Sequence, residues 1–414
     1  MRTASLIAGL APGMRVFVAG LTGESALLRE QLLAHPSQSA GVEFTSVQLP
    51  GVDRSDYLAI HPKSKSEGFF MTPGIRARGA DQRAAVLPLD YTGLVRYLLE
   101  VPAFDAAVGQ FTPPDAGGWC SPGLCADFTP LVWPRAKRRV GHLNPHLPRF
   151  ESSFRVHVSE FDAFVEASAP LLAVPAPPSN SVSEAIGRHA ADLIRDGDTL
   201  QFGIGSVPPQ VARALHSHRR LRIHSGMVSA LLETLWESGS LDRDARIVTG
   251  VLLGDDHFYR YAEALGRIFL DDVRQTHGLH VMSNIPRFVA INGAVEVDLL
   301  GQVNSERSDG SIQAGAGGLP AYAQASQLAP EGRLLICLPA AAKSGKLSRI
   351  VPCLSANSLC TVPRHLTDAV VTEFGVAELR GLSVDRRAEA LMAIAHPEHR
   401  SGLSKSWEEM RKRL

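Results

Sequence analysis

The chain has 414 residues, of which 45% are hydrophobic and 20% charged, and 42 basic residues balance 42 acidic ones. This length predicts two or three domains with ample buried core. The neutral charge balance argues against nucleic acid or an anionic membrane surface as a partner, and five scattered cysteines do not form the pattern of a disulfide framework.

The N-terminal segment combines an arginine with a short apolar run that breaks at Pro12-Gly13 and continues as a predicted strand. This is not the pattern of a signal peptide, and no apolar run reaches the ~20 residues that a membrane-spanning helix needs. We therefore expect a cytoplasmic protein without a membrane partner.

Two segments of the chain share a pattern of elements. GMRVFVAGLTGESALLREQLLAH (13–35) predicts a strand, a glycine-containing turn and a helix, and GDTLQFGIGSVPPQVARALHSH (197–218) predicts the same order at the same spacing. Gly13 corresponds to Gly197. The Pro- and Ser-rich segment 176–187 precedes a predicted helix, so we predict an N-terminal domain over 1–178 and a C-terminal domain over 179–414.

In each half, short β-rich runs alternate with helical patterns. The predicted strands include DAAVGQF, FVAINGAVEVDL, RLLICLP and DAVVTEFG, and the predicted helices include VSALLETLWESG and DRRAEALMAIAH. Alternation of this kind predicts an α/β protein of two similar domains with mainly parallel sheets. An interdomain cleft between two such domains would be a common position for a ligand site.

The segment GIGSVPPQ (203–210) follows a predicted strand and opens a predicted helix. Gly203 and Gly205 would let backbone N–H groups approach an anion at the helix N-terminus. The third glycine of a dinucleotide fingerprint is missing, and Pro208-Pro209 is predicted to occupy the turn. A ligand-binding turn and a purely structural turn both fit this pattern.

The segment GSIQAGAGGLPAY (310–322) is rich in glycine, which would weaken a regular element. A loop of this kind suits close approach to an anion, a thioester oxygen or a pantetheine arm, and its candidate binding residues are Gly315, Gly317 and Gly318. Upstream of it, Asn292 and Glu306 lie beside predicted turns, where positioned polar groups often do chemistry.

The segment PAAAKSGKLSRIVP (339–352) places Lys346 and Arg349 in a glycine-containing loop before an apolar run. A phosphate clamp and a solvated basic surface loop both fit this pattern. The histidine pairs of the chain lack a nearby cysteine or carboxylate at ligand spacing, so we expect no metal site.

The segment IHSGMVSALLETL (223–235) is predicted to be a strand end that runs into a helix, with His224, Ser225 and Gly226 in the turn. An α/β enzyme often presents a catalytic side chain at such a point. Here His224 is the candidate, and a satisfied, partly buried histidine is the alternative.

Taken together, these segments resemble the acetyl-CoA hydrolase/transferase family, which includes the 4-hydroxybutyrate and acetate CoA-transferases. The resemblance covers nearly the whole chain. The motifs that carry it are LQFGIGSVP, VAINGAVEVDLLGQVNSE, GAGGLPAY, GKLSRIVP and VVTEFGVAELRG in the C-terminal half, with VGQFTPPDAGGWCSPG and RVHVSEFDAFVE in the N-terminal half.

The resemblance implies CoA esters as substrates, no tightly bound cofactor and a homo-oligomer. In the transferases a glutamate attacks the acyl-CoA, and the resulting glutamyl-CoA thioester passes CoA to a second carboxylic acid. Backbone amides near Gly203 and Gly205, together with the Asn292 amide, would then stabilise the oxyanion of each tetrahedral intermediate, at typically ~3 kcal/mol for each donor.

This chain departs from the family at the nucleophile, because the position expected to hold the glutamate is Gly226. In the first of three hypotheses, Glu306 supplies the nucleophile of a CoA-transferase that acts on small carboxylic acids. In the second, Gly226 leaves room for water, Glu306 or His224 is a general base, and the enzyme is an acyl-CoA hydrolase. In the third, the chain binds CoA esters without turnover; for Glu306, a helix cap or salt bridge is the alternative role.

Overall fold

The computed structural model describes residues 4–78, 82–308 and 310–413. Its strands, in chain order, are Arg15–Val18 (β1), Glu43–Thr45 (β2), Lys65–Gly68 (β3), Ala84–Val86 (β4), Ala106–Phe111 (β5), Trp119–Cys120 (β6), Arg139–Leu143 (β7), Glu151–Ser152 (β8), Val156–His157 (β9), Ala163–Glu166 (β10), Thr199–Phe202 (β11), Arg222–Ser229 (β12), Ile247–Leu253 (β13), Ile268–Leu270 (β14), Phe288–Gly293 (β15), Glu296–Asp298 (β16), Val303–Asn304 (β17), Arg307–Ser308 (β18), Ser311–Ile312 (β19), Arg333–Cys337 (β20), Ala341–Ala342 (β21), Leu347–Ser348 (β22), Ile350–Val351 (β23), Ala369–Thr372 (β24) and Gly375–Glu378 (β25).

The α-helices of the same residues are Ala26–Ala34 (α1), Tyr57–Ile60 (α2), Pro73–Arg78 (α3), Tyr91–Glu100 (α4), Thr129–Val132 (α5), Ser181–Ala191 (α6), Val207–Ala214 (α7), Leu231–Glu237 (α8), Asp256–Leu265 (α9), Val273–Thr276 (α10), Leu279–Met282 (α11), Leu319–Leu328 (α12), Val384–Ala393 (α13) and Pro397–Arg411 (α14). The strands and helices predicted from alternating patterns are confirmed in type. The predicted strand FVAINGAVEVDL is split into β15 and β16.

The chain divides into two compact units. The first comprises Met1–Pro175, Arg246–Thr276 and Gln313–Gly317, and the second comprises Ala176–Ala245, His277–Ile312 and Gly318–Leu414. The domain boundary between residues 178 and 179 stays a prediction.

The main sheet of the first unit runs, within the described residues, in the order β10-β7-β5-β1-β2-β3-β4, and its strands are parallel. β5 is buried along its whole length, as expected for a parallel strand covered on both faces. Its hydrophobic neighbours include Leu94 of α4 and Trp133, which belong to the same core cluster. A shorter parallel set, β13-β14-β8, also belongs to this unit.

The sheet of the second unit contains the order β25-β24-β20-β15-β11-β12. These strands are parallel except for β25, which pairs antiparallel with β24. Asn180 caps α6 by accepting the N–H of Ser183, whose hydroxyl accepts the N–H of Asn180 in return. A Cβ on Gly187 would lie 2.7 Å from the backbone of Gln210, so this glycine permits the close approach of α6 to α7.

The repeat predicted from the sequence is present in the fold. β1 begins two residues after Gly13 and β11 begins two residues after Gly197, and each glycine has a positive φ, +87° and +78°. The chain order of the central strands also agrees, because β7-β5-β1-β2 in the first unit matches β20-β15-β11-β12 in the second. The chain is therefore an α/β protein with large, mainly parallel sheets.

Candidate functional site

A cavity of about 160 Å³ opens at the turn after β11 in the second unit. It is lined by residues 204–208 from this turn and the start of α7, by residues 291–294 at the end of β15, and by Cys337 and Pro339 after β20. The carboxyl ends of parallel strands are where open α/β sheets bind their ligands. Pro208 lies in the first turn of α7, where proline is tolerated, so the predicted position of Pro208-Pro209 in the preceding turn is wrong.

Asn292 lies in the wall of this cavity and is held by a second amide. Its Nδ2 donates to Oε1 of Gln201 at 2.7 Å, and both side chains are buried. This bond fixes the orientation of the Asn292 amide, whose Nδ2 carries a second N–H. The sequence offers one signal for the pairing: Gln201 interrupts an apolar strand in the register Gln201↔Ala290, two residues from Asn292.

The two glycines of the turn differ in what surrounds them. The N–H of Gly203 donates to the carbonyl of Ile291 at 2.8 Å, and a Cβ there would lie 2.8 Å from Oδ1 of Asn292. Gly205 has a φ of +119°, and no atom lies within 4 Å of the place where its Cβ would be. A substrate oxygen would have to compete with a sheet bond at Gly203, so Gly205 is the better candidate for a backbone contact.

The predicted turn at His224, Ser225 and Gly226 is wrong, because all three residues lie inside β12. The Ser225 side chain links β12 to the neighbouring strand β11. Its buried hydroxyl donates to the carbonyl of Met227 at 2.8 Å and accepts the N–H of Phe202 at 3.3 Å. The hydroxyl therefore has a structural role at the end of β11.

The space beside Gly226 is filled by two aromatic side chains. A Cβ on Gly226 would lie 2.7 Å from Nε2 of His277 and 2.7 Å from the hydroxyl oxygen of Tyr322, closer than real Cβ contacts. The N–H of Gly226 donates to that hydroxyl at 2.7 Å. The expectation that Gly226 leaves room for a water molecule is therefore wrong.

His277 is enclosed by further groups of the second unit. Its ring centroid lies 4.7 Å from that of Tyr322, and a Cβ on Gly318 would overlap its Nε2. Burial, with a smaller effect of nearby His224, lowers the pKa of His277 to about 3. His277 is therefore neutral at physiological pH. His224 is also buried, and its ring lies 6.3 Å from Phe288 in an edge-on arrangement.

Glu306 lies half-buried between β17 and β18. Its Oε1 accepts the hydroxyl of Thr361 at 2.8 Å, and its N–H donates to Oδ1 of Asn304 at 3.0 Å. These bonds fix the carboxylate at a turn outside the sheet that carries His224 and Asn292. The predicted alternatives of a helix cap or a salt bridge find no support in these contacts.

The two basic candidates have different surroundings. The guanidinium of Arg349 donates at 3.4 Å to the carbonyls of Ala294 and Val295, which follow β15. Lys346 is exposed at the end of the β21–β22 hairpin loop, where Lys343, Ser344 and Gly345 have positive φ values. Arg349 supports the segment beside the cavity, whereas Lys346 is free to reach solvent.

The glycine-rich loop is divided between the units. In the first unit a Cβ on Gly315 would overlap the carbonyl oxygen of Phe69, and one on Gly317 would lie 3.5 Å from the Phe70 ring. Phe69 and Phe70 are themselves buried core residues. Gly318 precedes α12 in the second unit.

The structure thus brings together residues that sequence reasoning had kept apart. His224 and Gly226 share a cluster with His277 and Tyr322, and Asn292 shares the cavity wall with the turn after β11. His277, Tyr322, Gln201 and Thr361 were missed, since a buried histidine or tyrosine in a lone sequence looks like core. Across the described ranges no group of three metal-ligating side chains lies together, and none of the helices there is long and apolar enough to cross a membrane.

Comparison with known proteins fits this architecture. The sequence profile of the acetyl-CoA hydrolase/transferase C-terminal domain matches residues 254–407. The chain is 32% identical over 403 residues to a 4-hydroxybutyrate coenzyme A transferase of Clostridium kluyveri, with 94% of this chain and 92% of that protein covered. The chain belongs to the acetyl-CoA hydrolase/transferase family.

Two other relatives extend this result. A succinyl-CoA:cyclohexane-1-carboxylate CoA transferase of Geobacter metallireducens is 33% identical over 352 residues, with 83% of this chain and 80% of that protein covered. The crystal structure of RipA from Yersinia pestis superposes with a TM-score of 0.90 at 26% identity, with 98% of this chain and 96% of that chain covered. The family's enzymes act on CoA esters, and this chain has the same fold as the RipA structure.

Proposed function

We propose that the protein is an acyl-CoA:carboxylate CoA-transferase for small carboxylic acids. Similarity over most of the chain to proteins named as CoA transferases supports transfer as the reaction. The observation that carries the proposal is the Glu306 carboxylate. Such transfer needs a carboxylate nucleophile, and Thr361 holds this one in a fixed orientation at a turn.

In the proposed mechanism, a Glu306 oxygen attacks the acyl carbonyl and expels CoA thiolate, which leaves an acyl-glutamyl anhydride. The thiolate then attacks the glutamyl carbonyl, which releases the free acid and leaves a glutamyl-CoA thioester. A second carboxylate repeats both steps in reverse and leaves as the new acyl-CoA. Each activated acyl bond that breaks is replaced by another, and the net reaction exchanges one thioester for another without hydrolysis.

The cavity after β11 would hold the thioester end of the substrate. Its apolar lining suits a pantetheine arm or a short acyl group, and the Asn292 amide, oriented by Gln201, would donate to each oxyanion. Gly205 would allow close backbone approach, and Arg349 would support the wall through the carbonyls that follow β15. With a pKa of about 3, the neutral imidazole of His277 would be only a weak base.

Acyl-CoA hydrolysis is the second candidate, and a specific observation favours it. Position 226 lacks a carboxylate, and His277 and Tyr322 occupy the space that one would need. If Glu306 or His224 activates water instead of attacking the thioester, the product is free CoA.

The two reactions are separated by following their products. The purified protein is incubated with propionyl-CoA, with and without acetate, while free thiol and acetyl-CoA are measured. We expect acetyl-CoA that depends on acetate, with little free thiol. Release of thiol at the same rate without acetate would contradict transfer and support hydrolysis, whereas binding of propionyl-CoA with neither product would leave the protein a CoA-ester-binding protein.

A further inference from the structure

The first unit contains a cavity of about 230 Å³ beside the turn that follows β1. Glu24, Ala26, Arg29 and Arg54 line one side of it, and residues 170–173 line the other. This is the place in the first unit that corresponds to the turn after β11 in the second. In the first sheet β1 lies between β2 and β5, and in the second β11 lies between β12 and β15, so the strand order reverses at β1 and at β11. Open α/β sheets bind ligands beside such switch points.

Arg29 is the residue that points to a ligand. It projects from α1 into the cavity wall, and its Nε is shielded from solvent without a hydrogen-bond partner among the described residues. A shielded N–H of a guanidinium that bonds nothing loses its water without compensation, which is unfavourable. A carboxylate in the cavity would compensate this cost by accepting from the terminal N–H groups of the same guanidinium.

The charge balance of the cavity favours an anion. Glu24 is acidic, but its carboxylate already accepts the N–H of Arg54 and the hydroxyl of Ser55, both at 2.8 Å. The carboxylate of nearby Asp53 is bound by the N–H groups of Leu21 and Leu49 at 2.7 and 2.6 Å. Arg29 and Arg54 therefore bring positive charge to the cavity lining, although Arg54 also donates to the carbonyl of Ala173 at 3.5 Å. The N-terminus of α1 adds partial positive charge.

The opposite wall is apolar and fixed. Pro170, Leu171, Leu172 and Ala173 line it, and both leucines are half-buried. The hydroxyl of Tyr259 donates to the carbonyl of Leu172 at 2.7 Å, which holds the segment in place. A phosphate would gain nothing from this wall, whereas a short hydrocarbon tail would be removed from water there.

We infer that this cavity binds a small monocarboxylate with a short apolar tail, at a site separate from the cavity after β11. The carboxylate would accept from Arg29, whose fork of N–H groups matches its two oxygens. The tail would pack on Leu171 and Leu172. The inference does not depend on the proposed function, because binding is measured without CoA and without turnover.

Butyrate titrated into the CoA-free protein in a calorimeter tests this site. We expect binding that Arg29→Met weakens by about 10- to 100-fold, the usual effect of losing a charge-assisted hydrogen bond. Arg96→Met is the matched control, because Arg96 is an exposed arginine of the same unit paired with Glu100 on its own helix. That variant should bind butyrate like the unmodified protein.

Two further ligands define the chemistry of the site. Butyramide keeps the shape of butyrate without its charge and should not bind, and inorganic phosphate should bind more weakly than butyrate. If Arg29→Met does not fold, Arg54→Met replaces it, with a smaller weakening expected. Butyrate binding unchanged in a folded variant at Arg29 or at Arg54, equal binding of butyramide, or tighter binding of phosphate would each overturn the inference.

Discussion

The two units repeat one strand–turn–helix arrangement but place different side chains around the turn. In the first unit Gly20, after β1, is packed tightly, since a Cβ there would overlap the carbonyl oxygen of Val47. Acidic side chains bind the surrounding backbone N–H groups, and the adjoining cavity is lined by Arg29 and Arg54. In the second unit the turn after β11 opens on a cavity beside the amides of Gln201 and Asn292.

The same strand–turn–helix arrangement thus suits two kinds of ligand. Neutral amides and a neutral imidazole suit a thioester oxygen, which is uncharged until the transition state. Carboxylates and guanidinium groups in the first unit suit either internal bonding or a ligand that is already an anion. Substitutions at Glu306 and elsewhere in the second unit test whether that unit carries the chemistry.

The largest expected effect comes from Glu306→Gln. The amide keeps the size of the side chain and can still accept from Thr361, but it cannot attack a thioester, so transfer should fall on the order of 10³-fold or more. Steady-state transfer from propionyl-CoA to acetate measures this. Glu331→Gln, which changes an exposed glutamate paired with Arg195, should leave the rate unchanged. Equal rates for the two variants would remove Glu306 from the mechanism.

The next largest expected effect is a loss of stability when a side chain is added at position 226, where His277 and Tyr322 occupy the space. Gly226→Glu would drive a side chain into His277 and Tyr322, and we expect a loss of about 3 kcal/mol or more in the free energy of unfolding. Urea denaturation measures it. A second substitution, His277→Ala, should restore part of the loss by vacating the space.

Gly402→Ala is the control for this substitution, because nothing lies within 4 Å of its Cβ position in α14. Alanine is favoured over glycine in a helix, so this variant should be as stable as the unmodified protein or slightly more stable. Gly226→Glu with undiminished stability would show that the space beside β12 is open.

Asn292→Asp should lower kcat by about 100-fold, because the oxyanion loses a donor and meets a negative charge instead. The aspartate can still pair with Gln201, whose amide can turn to donate, so the melting temperature should change little. Separate measurement of kcat, KM and Tm distinguishes the two roles. A loss of Tm with an unaltered kcat would make Asn292 a structural residue only.

The smallest expected effect is a pH dependence of stability. Burial lowers the pKa of His277 from 6.5 to about 3, so the folded state favours the neutral imidazole. The associated stability is complete above pH 6.5 and is lost as the pH falls towards 3, by about 2 kcal/mol at pH 5. His277→Asn should remove this part of the difference between urea denaturation at pH 7 and at pH 5.

The exposed His365 provides the comparison for that measurement. His365→Asn should show the same change in stability between pH 7 and pH 5 as the unmodified protein. If His277→Asn behaves in the same way as His365→Asn, the imidazole of His277 is not held neutral by the fold.

The α/β class and the repeated strand–turn–helix arrangement could be predicted from the sequence because local patterns encode them. Alternating apolar runs and glycines at the starts of β1 and β11 gave the α/β class and the repeat, and the order of motifs gave the family. Which side chains pack around the turns and strands could not be predicted. A glycine at 226 does not reveal that His277 and Tyr322 occupy its side-chain space, since these residues meet it only through tertiary packing.

The segment 223–235 shows the same limit at short range. His224, Ser225 and Gly226 have the composition of a turn, yet they continue β12, because the bonds of Ser225 to Phe202 and Met227 and of Gly226 to Tyr322 satisfy the strand. The role of Thr361 in holding Glu306 also depends on a contact between residues 55 positions apart. Long-range partners of this kind leave no local pattern.

The central claim is that Glu306, not position 226, carries CoA during transfer. The most direct measurement is mass spectrometry of peptides after a brief incubation with acetyl-CoA and an acid quench. The account predicts a CoA-sized mass increase on the peptide that contains Glu306, absent in Glu306→Gln. Transfer that proceeds with no such adduct, or with the adduct on another peptide, would contradict it.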